Sequence, residues 1–430
     1  MARTAPTTGF SSPFVNAAKD FIVRGLSRFF EALFSVVAVA SIVGCAGTPS
    51  LQHAGSGAMI AVPAGGLRGS LTQSHLLALQ LAGELPAPVP APVLRRQLQA
   101  LEQPRPKLPS STGAQVGLWA ANTNFNYLIG QNTSGRKTVT AVDLSANSCY
   151  SPVALKVDHA QNVWVGCELT STSSTNGAVQ EYSSAGAFTA RYVPSCPNGV
   201  RNCSSFTALI WDSGLDAHGN VFASLNLFDL QTCVGTSCTS TLGGGFEWWP
   251  AGDASQPPRL ITLSDSCNPV CGVGFMDVDA TGNLWFTFVG YNASGTYGAG
   301  LGEVTNPTKK PQFTIVEPIG TYGFFGGVYT SAGGKTLNVI DQKTRTISQY
   351  HLPLASSGTP FNVIGPTPLN AFDIGDPVSG GFNADDKKIA IGDTGGWFDI
   401  GKVAANTWSA VANANFYSGL EGAAYTPSDK

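Results

Sequence analysis

One short pattern returns between residues 113 and 430, and it restricts the fold more than anything else in the chain. Leu155-Lys156-Val157-Asp158 leads to Gln161-Asn162-Val163-Trp164-Val165. Gly214-Leu215-Asp216 leads to Gly219-Asn220-Val221-Phe222-Ala223, and Met276-Asp277-Val278-Asp279 leads to Gly282-Asn283-Leu284-Trp285-Phe286. Weaker copies run from Val328-Tyr329 to Lys335-Thr336-Leu337-Asn338-Val339, and from Phe382-Asn383 to Lys387-Lys388-Ile389-Ala390-Ile391. Each copy reads as a strand, a tight turn carrying Asp, Gly or Asn, and a second strand. Third-strand candidates are Ala178–Tyr182, Gly245–Trp249, Gly302–Val304 and Thr346–Tyr350. Fourth-strand candidates are Phe188–Val193, Pro258–Leu263, Gln312–Val316 and Phe361–Ile364. Four strands per unit, at a period of roughly 40–60 residues, predict an all-β fold, the β-propeller.

The ends of this region complete one another. Ala423-Ala424-Tyr425-Thr426 is a first strand entering its turn, with no second strand after it. Val116-Gly117-Leu118-Trp119-Ala120-Ala121 is the missing second strand, with Trp119 in step with Trp164 and Trp285. Joining them makes one blade from both termini and removes the exposed sheet edges that would invite aggregation. Six blades result, or seven if one weak copy hides another. The repeat resembles NHL-type and streptogramin-lyase-like propellers and, more loosely, the gluconolactonase group. The streptogramin-lyase resemblance implies a catalytic His and Glu with a metal. The gluconolactonase resemblance implies a metal held by acidic and amide side chains in a central channel. Glu421-Gly422 matches the start of that group's Glu-Gly-Pro, with Ala423 in place of the Pro.

Composition agrees with a turn-rich β protein, since the chain has 50 Gly in 430 residues and only 12% charged side chains. Residues 113–430 carry 15 basic and 23 acidic side chains, a net of −8, so nucleic acid is not an expected partner. Eight of nine cysteines lie between Cys149 and Cys271. No C-x2-C unit occurs among them, which turns the reading from zinc to disulfides in an oxidising compartment. Nearest neighbours give Cys149–Cys167, Cys196–Cys203, Cys233–Cys238 and Cys267–Cys271.

The ninth, Cys45, has a different setting. Lys19, Arg24 and Arg28 precede an apolar run, Leu33–Val43, that is short for a membrane span. Ile42-Val43-Gly44-Cys45 resembles a bacterial lipobox, which implies a signal peptide over 1–44 and a lipidated Cys45. Ala46 follows rather than Asp, so the resemblance does not imply inner-membrane retention. Residues 45–112, with Leu85-Pro86-Ala87-Pro88-Val89-Pro90-Ala91-Pro92, read as an extended tether, and 113–430 as the propeller. The expected address is the bacterial cell envelope, lipid-anchored at the outer membrane or facing the periplasm.

Candidate sites have bland competitors. Trp119, Trp164 and Trp285 share one position and read as packing between blades. Asp158, Asp216 and Asp279 read as turn caps. Asp277–Asn283 imitates the start of a calcium loop, but its twelfth position is Phe288 rather than Glu. Gly333-Gly334-Lys335-Thr336 imitates a phosphate loop but has Tyr329 where the first Gly belongs. No Gly-x-Ser-x-Gly occurs, and His159, His218 and His351 form no catalytic pattern, so no catalytic residue is assigned.

In a propeller the loops before first strands and after second strands share one face, here called the loop face. All eight cysteines map to it, as do the longest expected loops, Leu225–Gly244 and Phe288–Gly300. Second-strand ends bring Asn122, Glu168, Asn226, Asp341 and Asp393 to the channel mouth, joined by Glu421. Such a ring suits a divalent cation or a sugar, or a solvated rim. No cofactor is predicted. The expected function is a binding module that meets an envelope protein, glycan or small ligand through the stapled face. The alternative is a metal-dependent lyase or lactonase-like enzyme in the channel.

Overall fold

The computed structural model describes residues 115–123, 125–134, 137–171, 174, 176–263, 272–291, 297–322, 326–331, 334–342, 344–354, 359–365, 377–383, 385–393, 397–412 and 420–426. The expected signal peptide, Cys45, the expected tether, Cys267 and Cys271 lie outside them. The described residues form six four-stranded antiparallel sheets, one per blade. Blade 1 holds β1 (Leu118–Asn122), β2 (Tyr127–Gln131) and β3 (Thr138–Asp143). Blade 2 holds β4 (Tyr150–Val157), β5 (Val163–Leu169), β6 (Ala178–Tyr182) and β7 (Phe188–Tyr192). Blade 3 holds β8 (Cys203–Leu215), β9 (Val221–Val234), β10 (Ser237–Trp249) and β11 (Arg259–Thr262). Blade 4 holds β12 (Gly272–Val278), β13 (Leu284–Tyr291), β14 (Tyr297–Thr305) and β15 (Gln312–Tyr322). Blade 5 holds β16 (Val328–Thr330), β17 (Thr336–Asp341), β18 (Thr346–His351) and β19 (Asn362–Ile364). Blade 6 holds β20 (Pro377–Phe382), β21 (Lys388–Asp393), β22 (Trp397–Lys402) and β23 (Thr407–Ala412). Finally β24 (Leu420–Tyr425) returns to pair with β1 and becomes the first strand of blade 1.

The repeated turn explains why the first two strands of each blade are so regular. Asp158, Asp216 and Asp279 each accept a backbone bond from the residue three positions on, and that residue has positive φ: Gln161 (68°), Gly219 (76°) and Gly282 (85°). Two of the three are glycine, which occupies that region without a Cβ clash. The Asp carboxylate receives the backbone N–H of Asn162, Asn220 or Asn283. It also reaches the indole of the next strand, with Trp164 Nε1 donating to Asp158 at 3.0 Å and Trp285 Nε1 to Asp279 at 2.9 Å. The three aspartates are turn caps, and two of them also anchor the buried tryptophans.

Burial lies between blades, in six seams that run round the ring. Trp119 and Leu128 meet Leu155 and Val165 between blades 1 and 2. Trp164 and Tyr192 meet Phe228 and Trp249 between blades 2 and 3. Phe246 meets Phe286 edge to face, 4.9 Å between centroids, between blades 3 and 4. Trp285 meets Leu337 and Tyr350, Ile340 meets Ile389, and Ala390 meets Ile129, which carries the ring through blades 5 and 6 back to blade 1. Closure is made in register, Leu118 opposite Tyr425 and Trp119 opposite Ala424, and Thr426 N donates to Gly117 O at 3.0 Å. Thr426 thus stands where blades 2, 3 and 4 have Asp, blade 5 has Ser331 and blade 6 has Asn383. Trp119 Nε1, fully buried, has no hydrogen-bond partner among the described residues.

Two expectations change. Leu225–Gly244 is not a loop: β9 and β10 run through it as a continuous hairpin paired from Val221–Trp249 out to Val234–Ser237. Likewise β13 and β14 pair out to Tyr291–Tyr297. Cross-strand hydrogen bonding extends the strands past the core, so no buried face was needed to mark them.

Candidate functional site

The first strands stand next to one another round the axis, and at mid-height they fill it. Val153 on β4, Trp211 on β8, Phe275 on β12, Val328 on β16 and Val378 on β20 are all buried in one apolar cluster. Trp211 and Phe275 pack edge to face at 6.1 Å. From the sixth direction β24 offers only Gly422-Ala423-Ala424, and a Cβ on Gly422 would lie 3.0 Å from Leu155 N. The open channel expected from the sequence is therefore packed shut at this level. Five bulky first-strand side chains converge on a bore that the small residues of β24 allow to tighten.

One step toward the hairpin turns, Lys156 extends from β4 into this axis. Its Nζ lies 3.5 Å from Asp212 Oδ2 on β8 and 3.9 Å from Asp277 Oδ1 on β12, and donates to Val328 O on β16 at 3.4 Å. Blade 5 faces blade 2 across a ring of six, so the side chain spans the axis and touches four blades. Both carboxylates are held in place. Asp212 accepts from Ser213 N (2.8 Å) and Met276 N (3.0 Å), and Asp277 accepts from Thr330 N (2.6 Å) and Thr330 Oγ1 (3.0 Å). Burial opposes the lysine's charge, but Asp212 and Asp277 outweigh it and raise its pKa. Burial raises Asp212 to about 6 against the pull of Lys156 and two backbone N–H groups. Lys156 keeps 15% and Asp277 18% of side-chain exposure, so the cluster is reached from the turn face. Sequence reasoning assigned no role to this trio. A signal was present: Lys156 and Asp277 hold the same position in the repeat with opposite charge, and Gly214 holds it in the copy between them.

Of the expected mouth residues, Asn122, Glu168, Asp341 and Asp393 are buried and Asn226 is half-buried. Asn122 is fully buried and caps its turn by accepting from Phe125 N at 2.8 Å. Glu168 is 3% exposed with the Ser151 hydroxyl as partner, and burial raises its carboxyl to about 7. Asn226 Nδ2 donates to Val273 O of the next blade at 3.3 Å. Asp341 and Asp393 are buried at the ends of β17 and β21. Glu421 lies on β24, and its side chain falls outside the described residues. Asn122, Glu168 and Asn226 thus bond within their own blades or to the next one. The metal implied by the gluconolactonase resemblance does not fit here, because the axial carboxylates already face an ammonium and the level above them is apolar.

The loop face has one feature that rises out of the ring. In blade 3, β8, β9 and β10 are 13, 14 and 13 residues long, against 5–8 in blade 2. At about 3.3 Å per residue, the outer half of β9 projects ~20 Å. Phe206 stacks on Phe228 at 5.6 Å at its root. Cys233–Cys238 closes the tip between directly opposed residues, and Cys196–Cys203 binds the loop entering β8. Cys233 N donates to Asn202 O at 2.9 Å, which ties the two disulfides into one unit. Cys149–Cys167, fully buried, staples blade 2 on the same face. Ser237–Leu242 is exposed throughout, Val234 is 72% and Leu242 46% exposed, and Asp229 is the sole charge in 227–244. A separate cleft of about 410 Å3 opens between blades 5 and 6, lined by Phe361, Val363, Gln349, Asn362, Asp386 and Asn406 among others.

No family model matches the sequence, and no curated protein matches it significantly. Solved structures align with it at low identity. A nidogen/laminin complex aligns at 12% identity over 73% of this chain and all of that one, with a TM-score of 0.48. The periplasmic gluconolactonase PpgL of Pseudomonas aeruginosa aligns at 12% identity over 69% of this chain and 82% of that one, TM-score 0.42. The calcium-binding protein regucalcin of Agrobacterium tumefaciens str. C58 aligns at 12% identity over 64% of this chain and 78% of that one, TM-score 0.42. None of those proteins' activities is carried over to this chain.

Proposed function

We propose that this chain is a lipid-anchored protein of the cell envelope whose propeller is a binding module, with the stapled arm of blade 3 as its contact surface. The arm carries the reading: a long, nearly uncharged, Ser/Thr-rich three-stranded projection, pinned by two disulfides and showing Val234 and Leu242 to solvent. A pre-stiffened surface loses less conformational entropy on binding than a free loop of the same length. The ligand is an envelope protein, a glycan or a small molecule. The anchor reading rests on Ile42-Val43-Gly44-Cys45, and the oxidising address on the disulfides.

A photo-crosslinking residue placed in turn at Val234, Leu242 and, as control, the outer-blade Phe188 tests the contact surface in cells. Adducts from the two arm positions and none from Phe188 are expected; equal labelling, or none at the arm, refutes it. Fatty-acid labelling that persists in Cys45→Ser refutes the anchor.

A further inference from the structure

Two carboxylates and a carbonyl, supplied by three different blades, face a single point on the axis of this propeller. Asp212 is fully buried and Asp277 largely so, and both are fixed by backbone donors. Without a positive charge between them such an array carries a large desolvation and repulsion cost. A free metal ion would relieve that cost, and so does a tethered ammonium. In this chain Lys156 reaches from blade 2 and places its Nζ 3.4–3.9 Å from all three oxygens.

We propose that this axial position is a cation site and that Lys156 is its resident cation. The oxygens stand about an ångström farther from Nζ than the ~2.4 Å of a calcium–oxygen bond. A metal entering here would draw them inward or keep water in its shell. The repeat offers a simple route to the arrangement: one position holds Asp in blade 4, Gly in blade 3 and Lys in blade 2. A Cβ on that glycine, Gly214, would lie 2.8 Å from Val278 Cγ2 and 3.3 Å from Met276 Cε, so the close approach of blade 4 leaves no room for a third side chain at this position. The inference stands apart from the binding reading, because it concerns the axis and not the arm.

The test uses the full chain, stripped with EDTA, with Ca2+ as the probe and thermal unfolding and bound-metal analysis as readouts. Wild type should melt at the same temperature in EDTA and in millimolar CaCl2. Lys156→Ala should melt several degrees lower in EDTA, recover most of that loss in CaCl2, and bind about one Ca2+. Lys156→Ala/Asp277→Asn should show no recovery. If Lys156→Ala does not fold in EDTA, the folded yield after refolding with and without Ca2+ is compared instead. Two results overturn the proposal: wild type holding stoichiometric Ca2+ that Asp277→Asn abolishes, or Lys156→Ala gaining neither stability nor yield from Ca2+.

Discussion

Replacing Glu168 by Gln should stabilise this protein above neutral pH and leave it nearly unchanged in mild acid. The carboxyl is 3% exposed at the end of β5, and burial moves it from 4.5 to about 7 in the folded chain. Between those two values the folded state holds a proton that the unfolded state has released. Stability therefore falls as pH rises through that window. The contribution is fully present below the unfolded value and gone above the folded one. A difference of about 2.5 pKa values, at 1.36 kcal/mol each, amounts to ~3 kcal/mol. Glutamine has the same shape, keeps an oxygen for the Ser151 hydroxyl and never ionises, so it removes the pH term while preserving the packing. Urea denaturation followed by tryptophan fluorescence, from about pH 4.5 to about pH 8, gives the difference between variant and wild type at each pH. The gap should open in favour of Gln by up to ~3 kcal/mol at the alkaline end. A flat gap, or one that favours wild type as pH rises, would mean that the carboxylate is charged and well paired in the fold. Glu168 would then not be a buried, largely neutral carboxyl. Glu247, fully buried on β10 and pushed well above the usual range by that burial, should give a gap of the same sign.

Other consequences follow from the turns, the closure and the staples. Asp279→Ala should cost ~1–3 kcal/mol more than Asp216→Ala in equilibrium denaturation, because it also strands the buried indole N–H of Trp285 while Phe222 has none to strand. Thr426→Asp should give Trp119 Nε1 the acceptor that Asp158 and Asp279 supply elsewhere, and raise stability by ~1 kcal/mol. An unchanged or lowered melting temperature would show that the closing turn does not align with the others. Replacing Cys149 and Cys167 together by Ser should cost about 3 kcal/mol, from a closed loop of 18 residues and full burial. The same change at Cys233 and Cys238 should move the melting temperature less and expose the arm to proteolysis. Equal effects at the two sites would argue against the arm as a projection.

What the sequence disclosed depended on whether a residue's environment repeats. The Asp turn, the positive-φ residue and the tryptophan after it recur because every blade needs the same hairpin, so the first two strands and the ring closure were legible. The outer strands of blade 6, Trp397–Lys402 and Thr407–Ala412, were not read, since an outermost strand such as the exposed Thr407 and Ser409 buries little and leaves a weak alternation. The arm was read as loop for a related reason. Its Thr, Ser and Gly residues are ordered by cross-strand bonds, Thr232 with Thr239 at 3.0 Å, and by Cys233–Cys238, not by an apolar face. The axis was misjudged differently. A repeat shows which residues share a position but not that positions from opposite blades touch, and so the bore was taken as open. Once the ring is known, the substitution pattern at that one position becomes informative. Lys156 and Asp277 are equivalent in the repeat, lie two blades apart and attract each other across the axis. In a closed ring, opposite charges at one repeat position can be partners even though more than a hundred residues separate them along the chain. This relation can be sought in the sequence of any propeller whose closure has been established.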